Sequence, residues 1–137
     1  MAMNLAAVRA GIKDALGPLN LNIYDYQTMR PTLPAAVVML PPSINPRIQF
    51  GGTSMTYRIP VQVLVGAGDP EAADEALERL LAEDDDGSVL VCLRADTTLG
   101  GACESAEVVD ISGGSWIEFA DGSVVALGYT FMLEVMT

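Results

Sequence analysis

The sequence predicts an α+β fold: a mostly antiparallel, twisted sheet packed with two or three short helices and ending in a C-terminal β-meander. Apolar residues recur at helical spacing in residues 4–16 and again after Asp69. Strict alternation marks a strand over 55–65, and turn residues divide the last third into strands. This order of elements is typical of an α+β domain, and the chain length supports a single domain over 1–137.

The composition excludes several classes of function. Half of the residues are apolar, which is too many for a disordered acidic tail. The chain has 18 acidic and 7 basic side chains, and its formal charge of −11 opposes binding to a nucleic-acid backbone or to anionic lipid. Histidine is absent, so the commonest general base and metal ligand are both missing. We therefore expect neither an enzyme nor a membrane partner.

The first helix is predicted from an apolar stripe, with Asn4 as its N-cap and Gly17-Pro18 as its stop. The stripe consists of Leu5, Val8, Ile12 and Leu16. Arg9 and Lys13 interrupt the apolar run, so the segment does not resemble a signal peptide. No run anywhere in the sequence reaches the ~18 apolar residues of a membrane span. We expect synthesis in a reducing compartment.

Three strands are predicted before the second helix. Residues 21–26 are rich in side chains that fit a pleated surface, and residues 34–40 are apolar on both faces, as in a central strand. Over 55–65, apolar residues alternate with more polar ones. Pro60 lacks an amide donor, which predicts an edge position or a bulge. Residues 43–54 show no strong periodicity, and we expect a long connection there that is functional or mobile.

The second helix begins at Asp69-Pro70, a capping acid followed by a proline at the first helical position. It ends at the acidic loop 83–87. The next segment, 88–94, stays ambiguous, because Ser88 as a cap favours a helix whereas the valines favour a strand.

The last third is predicted to be the meander. Gly113-Gly114 joins strands 103–112 and 115–120, and Asp121-Gly122 is a two-residue hairpin signal. A final alternating strand then ends the chain.

Candidate chemical motifs fail on their residues. Gly66-Ala-Gly68 lies where a dinucleotide loop would, but Glu71 replaces the third glycine. The aspartates at 84–86 suggest a calcium loop, yet both essential end ligands are absent. Cys92 and Cys103 are too few for a disulfide framework or a zinc site, and we expect buried thiols. No catalytic, cofactor-binding or metal-ligating residue is predicted.

Several residues have the character of an interface. The 43–54 connection contains an arginine and two large apolar residues, Arg47, Ile48 and Phe50. This composition is typical of protein contacts. The alternative is that Ile48 and Phe50 fold back onto the core. Trp116, in a short strand flanked by glycines, is either a core residue or a contact anchor.

The last strand adds two further candidates. Its second face carries Met132 and Met136, and it is more apolar than a solvated face. We expect these side chains to be covered either by a helix or by a neighbouring subunit.

Several segments form a pattern through their order and spacing. They are NIYDY (22–26), PAAVV (34–38) with the prolines at 41–42, IPVQVLV (59–65), DEALERLL (74–81), GSV (87–89) and TLGG (98–101), followed by a C-terminal strand. Over roughly residues 4–135 the chain resembles the tail terminator proteins of long, non-contractile-tailed bacteriophages, in the form found in phages of actinobacteria.

The resemblance implies an α/β-sandwich-like subunit that assembles as a homo-hexameric ring. Such a ring sits on the head-proximal end of the completed tail, where it contacts the major tail tube protein, stops tube growth and joins the head–tail connector protein. It implies synthesis in the host cytoplasm, incorporation into the virion, no cofactor and no catalytic residues.

DNA meets such a protein only while it passes through the channel. Asp84, Asp85 and Asp86 are candidate lumen-facing acids, because a negative wall repels passing DNA. Two other interpretations stay open. One is another neck component, a connector or stopper, and the other is a soluble protein-binding module that uses residues 43–54.

Overall fold

A computed structural model describes residues 5–19, 21–28, 32–49, 52–66, 70–83, 87–118 and 125–136. In chain order its elements are α1 (Leu5–Ala15), β1 (Asn22–Tyr24), β2 (Ala35–Val38), β3 (Ser43–Gln49), β4 (Gly52–Gly66), α2 (Pro70–Leu81), α3 (Val89–Ala95), β5 (Ser105–Glu118) and β6 (Val125–Met136). The α+β class is confirmed, and both helices predicted from apolar periodicity are present. The proposed Asp69 cap lies outside the described residues.

The strands form one sheet with β4 at its centre. The order is β1-β2-β4-β6-β5, and β3 pairs with β4 on the same edge as β2. Strands β1 and β2 are parallel, whereas every other described pair is antiparallel. The sheet is therefore mostly antiparallel, as the sequence predicts.

One face of this sheet packs against all three helices. The sheet side of the core comes mainly from odd-numbered residues of the central strands: Tyr57, Ile59, Val61, Val63, Val65, Leu127, Phe131, Leu133 and Val135. The helix side includes Val8, Ile12 and Leu16, three of the four residues predicted for the stripe of α1. Each large side chain buried in this way contributes about 1.5–3 kcal/mol to the free energy of folding.

A charged side chain of α1 also reaches the sheet. The Nη2 atom of Arg9 donates to the carbonyl oxygen of Val38, the last residue of β2, at 2.7 Å. This charge-assisted bond satisfies a carbonyl group at a strand end and holds α1 over β2.

The edge position or bulge predicted at Pro60 is wrong, because the proline lies inside the sheet. It pairs with Met132 of β6, and its carbonyl oxygen accepts from the amide of Met39 at 2.9 Å on the opposite side. The nitrogen of a strand residue faces the same side as its carbonyl. That side is where β4 changes partner, since its pairing with β3 ends at Arg58 and its pairing with β2 begins at Val61. The missing donor falls in this gap.

The long connection predicted over 43–54 is also wrong. Residues 43–49 form β3, which pairs with β4 from Ser43↔Arg58 to Gln49↔Gly52. The periodicity is weak because β3 carries Asn, Pro and Arg among its apolar residues. Backbone pairing with β4 supplies the order that the side-chain pattern lacks.

The turn predicted at Gly113-Gly114 is wrong as well, because β5 continues through it. The register shifts between Gly113 and Ser115, and Gly113 has a φ of 134°. A Cβ atom at this position would lie 2.6 Å from the carbonyl oxygen of Gly128. The glycine therefore marks a bulge with close backbone approach. The hairpin signal Asp121-Gly122 lies outside the described residues.

The ambiguous segment after the acidic loop is a helix, and Ser88 is the reason. The buried Ser88 hydroxyl accepts from the amide of Leu90 at 3.2 Å and so caps the start of α3. Its one proton is shared by the carbonyl oxygens of Leu80, at 3.1 Å, and Ala82. One side chain therefore joins the end of α2 to the beginning of α3.

The loop between α3 and β5 inserts Leu99 against α1. Leu99, Gly100 and Gly101 have successive φ values of 51°, 70° and 89°. The Asp96 carboxylate holds this turn by accepting from the amide of Gly100 at 3.2 Å. Leu99 is only 2% exposed, and its carbonyl oxygen would lie 2.5 Å from a Cβ atom placed on Gly11. The absence of a side chain at Gly11 thus lets the loop contact α1.

We expect Gly11→Ala to destabilise the fold by about 1–3 kcal/mol, because the added methyl group overlaps the Leu99 backbone. This cost exceeds the higher helix propensity of alanine, which is worth about 1 kcal/mol. Urea denaturation measures the difference. Gly66→Ala is the matched control, since nothing lies within 4 Å of its added Cβ. A Gly11→Ala protein as stable as the Gly66→Ala protein would refute the packing argument.

Candidate functional site

The sheet has a second face, which we call the outer face and define by the even-numbered side chains of β4 and β6 with their cross-strand neighbours. None of these even-numbered side chains belongs to the buried cluster that contains the helices. Four cross-strand rows form its accessible part: Thr56–Met136–Ser105, Arg58–Glu134–Glu107, Pro60–Met132–Asp110 and Gln62–Thr130–Ser112.

The other half of the outer face is buried within the chain. Ala35, Val37, Leu64 and Ala126 are each at most 3% exposed, although they lie opposite the helices. Both faces of β2 are covered. This explains why residues 34–40 are apolar on both faces, as predicted from the sequence.

Both methionine candidates belong to the accessible half. Met132 is half-buried between Pro60 and Asp110, and Met136 is 41% exposed at the end of β6. The expectation that a helix covers them is wrong for the described helices, because these pack on the opposite face. Cover by a neighbouring subunit stays a prediction.

One row of the outer face carries an unbalanced set of charges. Arg58 Nη2 lies 3.5 Å from Glu134 Oε2, across the β4–β6 pair. On its other side, Glu134 stands directly opposite Glu107 of β5. The row therefore has one cation for two carboxylates. Like charges in directly opposed cross-strand positions destabilise a sheet.

Two exposed apolar side chains lie on β5, the edge strand next to this surface. A register shift between Val108 and Asp110 leaves Val109 as the additional residue of a bulge. Val109 is 42% exposed. Ile111 is 36% exposed, but it pairs with the core residue Phe131 and therefore lies on the helix-facing side of the sheet. Sequence reasoning missed both, although the adjacent valines break the alternation and are the signal that could have found them.

The hairpin of β3 and β4 projects beyond the rest of the sheet. We call β3 together with residues 52–58 of β4 the arm. Pairing of β4 with β6 begins only at Thr56, so among the described strands residues 52–55 pair with β3 alone, over about 13 Å. Arg47 and Ile48 lie within the arm opposite Ser54 and Thr53, whereas Phe50 lies outside the described residues.

The remaining predicted candidates are less well located. Trp116 lies in β5 and pairs with Leu127, but its side chain lies outside the described part of the chain. Asp84, Asp85 and Asp86 also fall outside the described residues. Their lumen-facing role therefore stays a prediction.

Two titratable side chains of the described residues have displaced pKa values. The pKa of the half-buried Cys103 thiol is raised, first by burial and then by the negative charge of Asp96. A raised pKa keeps the thiol protonated and weakly nucleophilic. The pKa of Tyr24 is lowered, because its hydroxyl accepts from the amide of Thr32 at 3.1 Å. Cys92 is buried, as predicted, whereas Cys103 is only partly buried.

A groove of 360 Å³ opens at the far end of β4 from the arm. Its lining includes Leu19, Leu21, Pro34, Val65, Arg79 and Leu80. Among the described residues, no group of three or more cysteine or acidic side chains could hold a metal ion. No helix in the same ranges is long and apolar enough to cross a membrane.

In comparisons with known proteins, no family model matches this chain, and no curated protein matches it either.

We expect Glu107→Lys to stabilise the fold by about 0.2–1 kcal/mol, because a cation then faces Glu134 in place of a second carboxylate. The gain should shrink in high salt, which screens exposed charges. Glu104→Lys makes the same change in net charge without facing Glu134 and is the control. Urea midpoints compare the two proteins. Equal gains would assign the effect to net charge alone.

We expect Cys103 to be alkylated by iodoacetamide more slowly than a free cysteine at about pH 8.5, where an ordinary thiol is half ionised. Asp96→Asn should accelerate the reaction, since removing the charge lowers the pKa of Cys103. Glu104→Gln is the control substitution, and peptide mass spectrometry separates Cys103 from Cys92. Reaction at the rate of a free thiol would contradict the raised pKa.

Proposed function

We propose that this chain is a structural subunit of a phage tail, a tail terminator that forms a ring on the completed tail tube. The ring stops addition of tube subunits and presents the surface to which the head connector binds. It acts by the shape and complementarity of its surfaces, without a chemical step. Asp84, Asp85 and Asp86 are the acids assigned to the channel wall in this proposal.

The accessible half of the outer face carries the proposal. Met132 and Met136 lie on a sheet face that the chain's described helices do not cover, and the exposed Val109 adds an apolar side chain on the neighbouring edge strand β5. An exposed apolar surface bounded by charged residues is typical of protein contacts. The order and spacing of segments along the chain support the terminator interpretation over other assembly proteins.

Deleting the gene from its phage is the direct test, with particles imaged by electron microscopy. We expect tails of uncontrolled length that are not joined to capsids, and restoration by the wild-type chain. The double variant Met132→Asp, Met136→Asp should not restore tail length, because two charges then occupy the contact surface. Thr97→Asp, on the exposed loop after α3, is the control and should restore it.

Two outcomes would contradict the proposal. Tails of normal length beside unjoined, leaking heads identify a connector or stopper instead. Infectious particles with normal tails after deletion exclude any essential role in the neck. Restoration by the methionine variant would leave the terminator function in place and remove the outer face from it.

A further inference from the structure

The charges of this chain are separated along the sequence. Residues 26–68 contain Arg30, Arg47 and Arg58 and no acidic residue, so all 18 acids lie outside this stretch. The stretch includes β2 and the arm. Arg47 lies in β3, which is an edge strand in the described sheet. Arg58 is exposed but lies in β4, where it contacts Glu134 of its own chain. The arm is therefore cationic within a strongly acidic protein.

The opposite edge of the sheet has the complementary character. Strand β5 contains no basic residue, and the exposed side chains at its first half include Glu107 and Asp110, with Glu104 just before it. The exposed Val109 lies between these acids along the strand, and the exposed Ile111 follows on the helix-facing side of the same edge, opposite Phe131. This combination of an apolar centre with charged surroundings is what a contact surface requires.

These two edges do not meet within one chain. Strands β4 and β6 lie between β3 and β5, which separates the edges by about 14 Å of sheet. Complementary surfaces on opposite sides of one subunit join different copies head to tail, and such contacts close into a ring when the rotation between copies permits.

We propose that the arm of one copy docks on the β5 edge of a second copy, with Arg47 near Glu107 and Asp110. This inference rests on the proposed ring and names the contact that holds neighbouring subunits together. Helix α2 is also acidic, but its exposed positions carry only alanine and charged side chains, including Arg79. It therefore lacks the apolar centre that β5 provides.

The contact is tested by charge reversal with sedimentation velocity. The wild-type chain should associate with itself, less so as salt rises. Arg47→Glu alone and Asp110→Arg alone should each weaken association at least about tenfold, because each places like charges together. Arg94→Glu on α3 and Glu78→Arg on α2 change the net charge equally at exposed sites and should leave association unchanged.

Mixing the two reversed proteins is the decisive measurement. Each variant supplies the partner surface that the other needs. At one contact the glutamate introduced at position 47 faces the arginine introduced at position 110, and at the next contact the native Arg47 faces the native Asp110. We expect the equimolar mixture to regain wild-type association, which a variant that failed to fold could not do.

Three results would overturn the inference: a wild-type chain that stays monomeric at every concentration, an Arg47→Glu protein that associates as well as Arg94→Glu, or a mixture that stays dissociated. None of these decides the proposed function, which the tail-length measurement tests separately. Restored tail length by the Arg47→Glu protein would likewise retain the terminator and remove the arm contact.

Discussion

The antiparallel ladder between β4 and β6 runs unbroken from Thr56↔Met136 to Gly66↔Ala126, and the other strands are added outward from it. Because side chains alternate between the two faces of a strand, the register of this ladder decides which residues meet the helices. A slip by one residue would turn Phe131, which is wholly buried, toward the outer face. Such a slip would expose the buried apolar side chains along two long strands. The free energy lost by exposing them makes the observed register the stable one.

The helices are held to this sheet by a few contacts outside the apolar core. Ser88 joins α2 to α3, and Arg9 ties α1 to the end of β2. Leu99 enters the space that Gly11 leaves open, at the expense of a left-handed backbone in a residue other than glycine. The loop that carries Leu99 also leads directly into β5, so the helical layer and the edge strand are positioned together.

The same ladder creates the surfaces on which the proposed assembly depends. It places Met132 and Glu134 on the face opposite the helices, and it lies between β3 and β5, which are separated by two strands. A subunit with unlike edges and one partly uncovered face is suited to repeated head-to-tail contacts. The formal charge of −11 then describes an average over two different edges rather than a uniform surface.

The sequence by itself determined the α+β class, the first two helices and the alternation of β4 and β6, because each is a local pattern with one dominant period. Tertiary structure decided the rest. Pro60 could be placed only once the gap between β2 and β3 was known, and β3 forms through backbone pairing that its own side chains do not indicate. Gly113 looks like a turn residue until its approach to Gly128 is seen. The composition shows how many acids the chain has, but only the strand order shows that the acids of β5 and Arg47 of β3 lie on opposite edges, because neighbours across a sheet are set by long-range pairing.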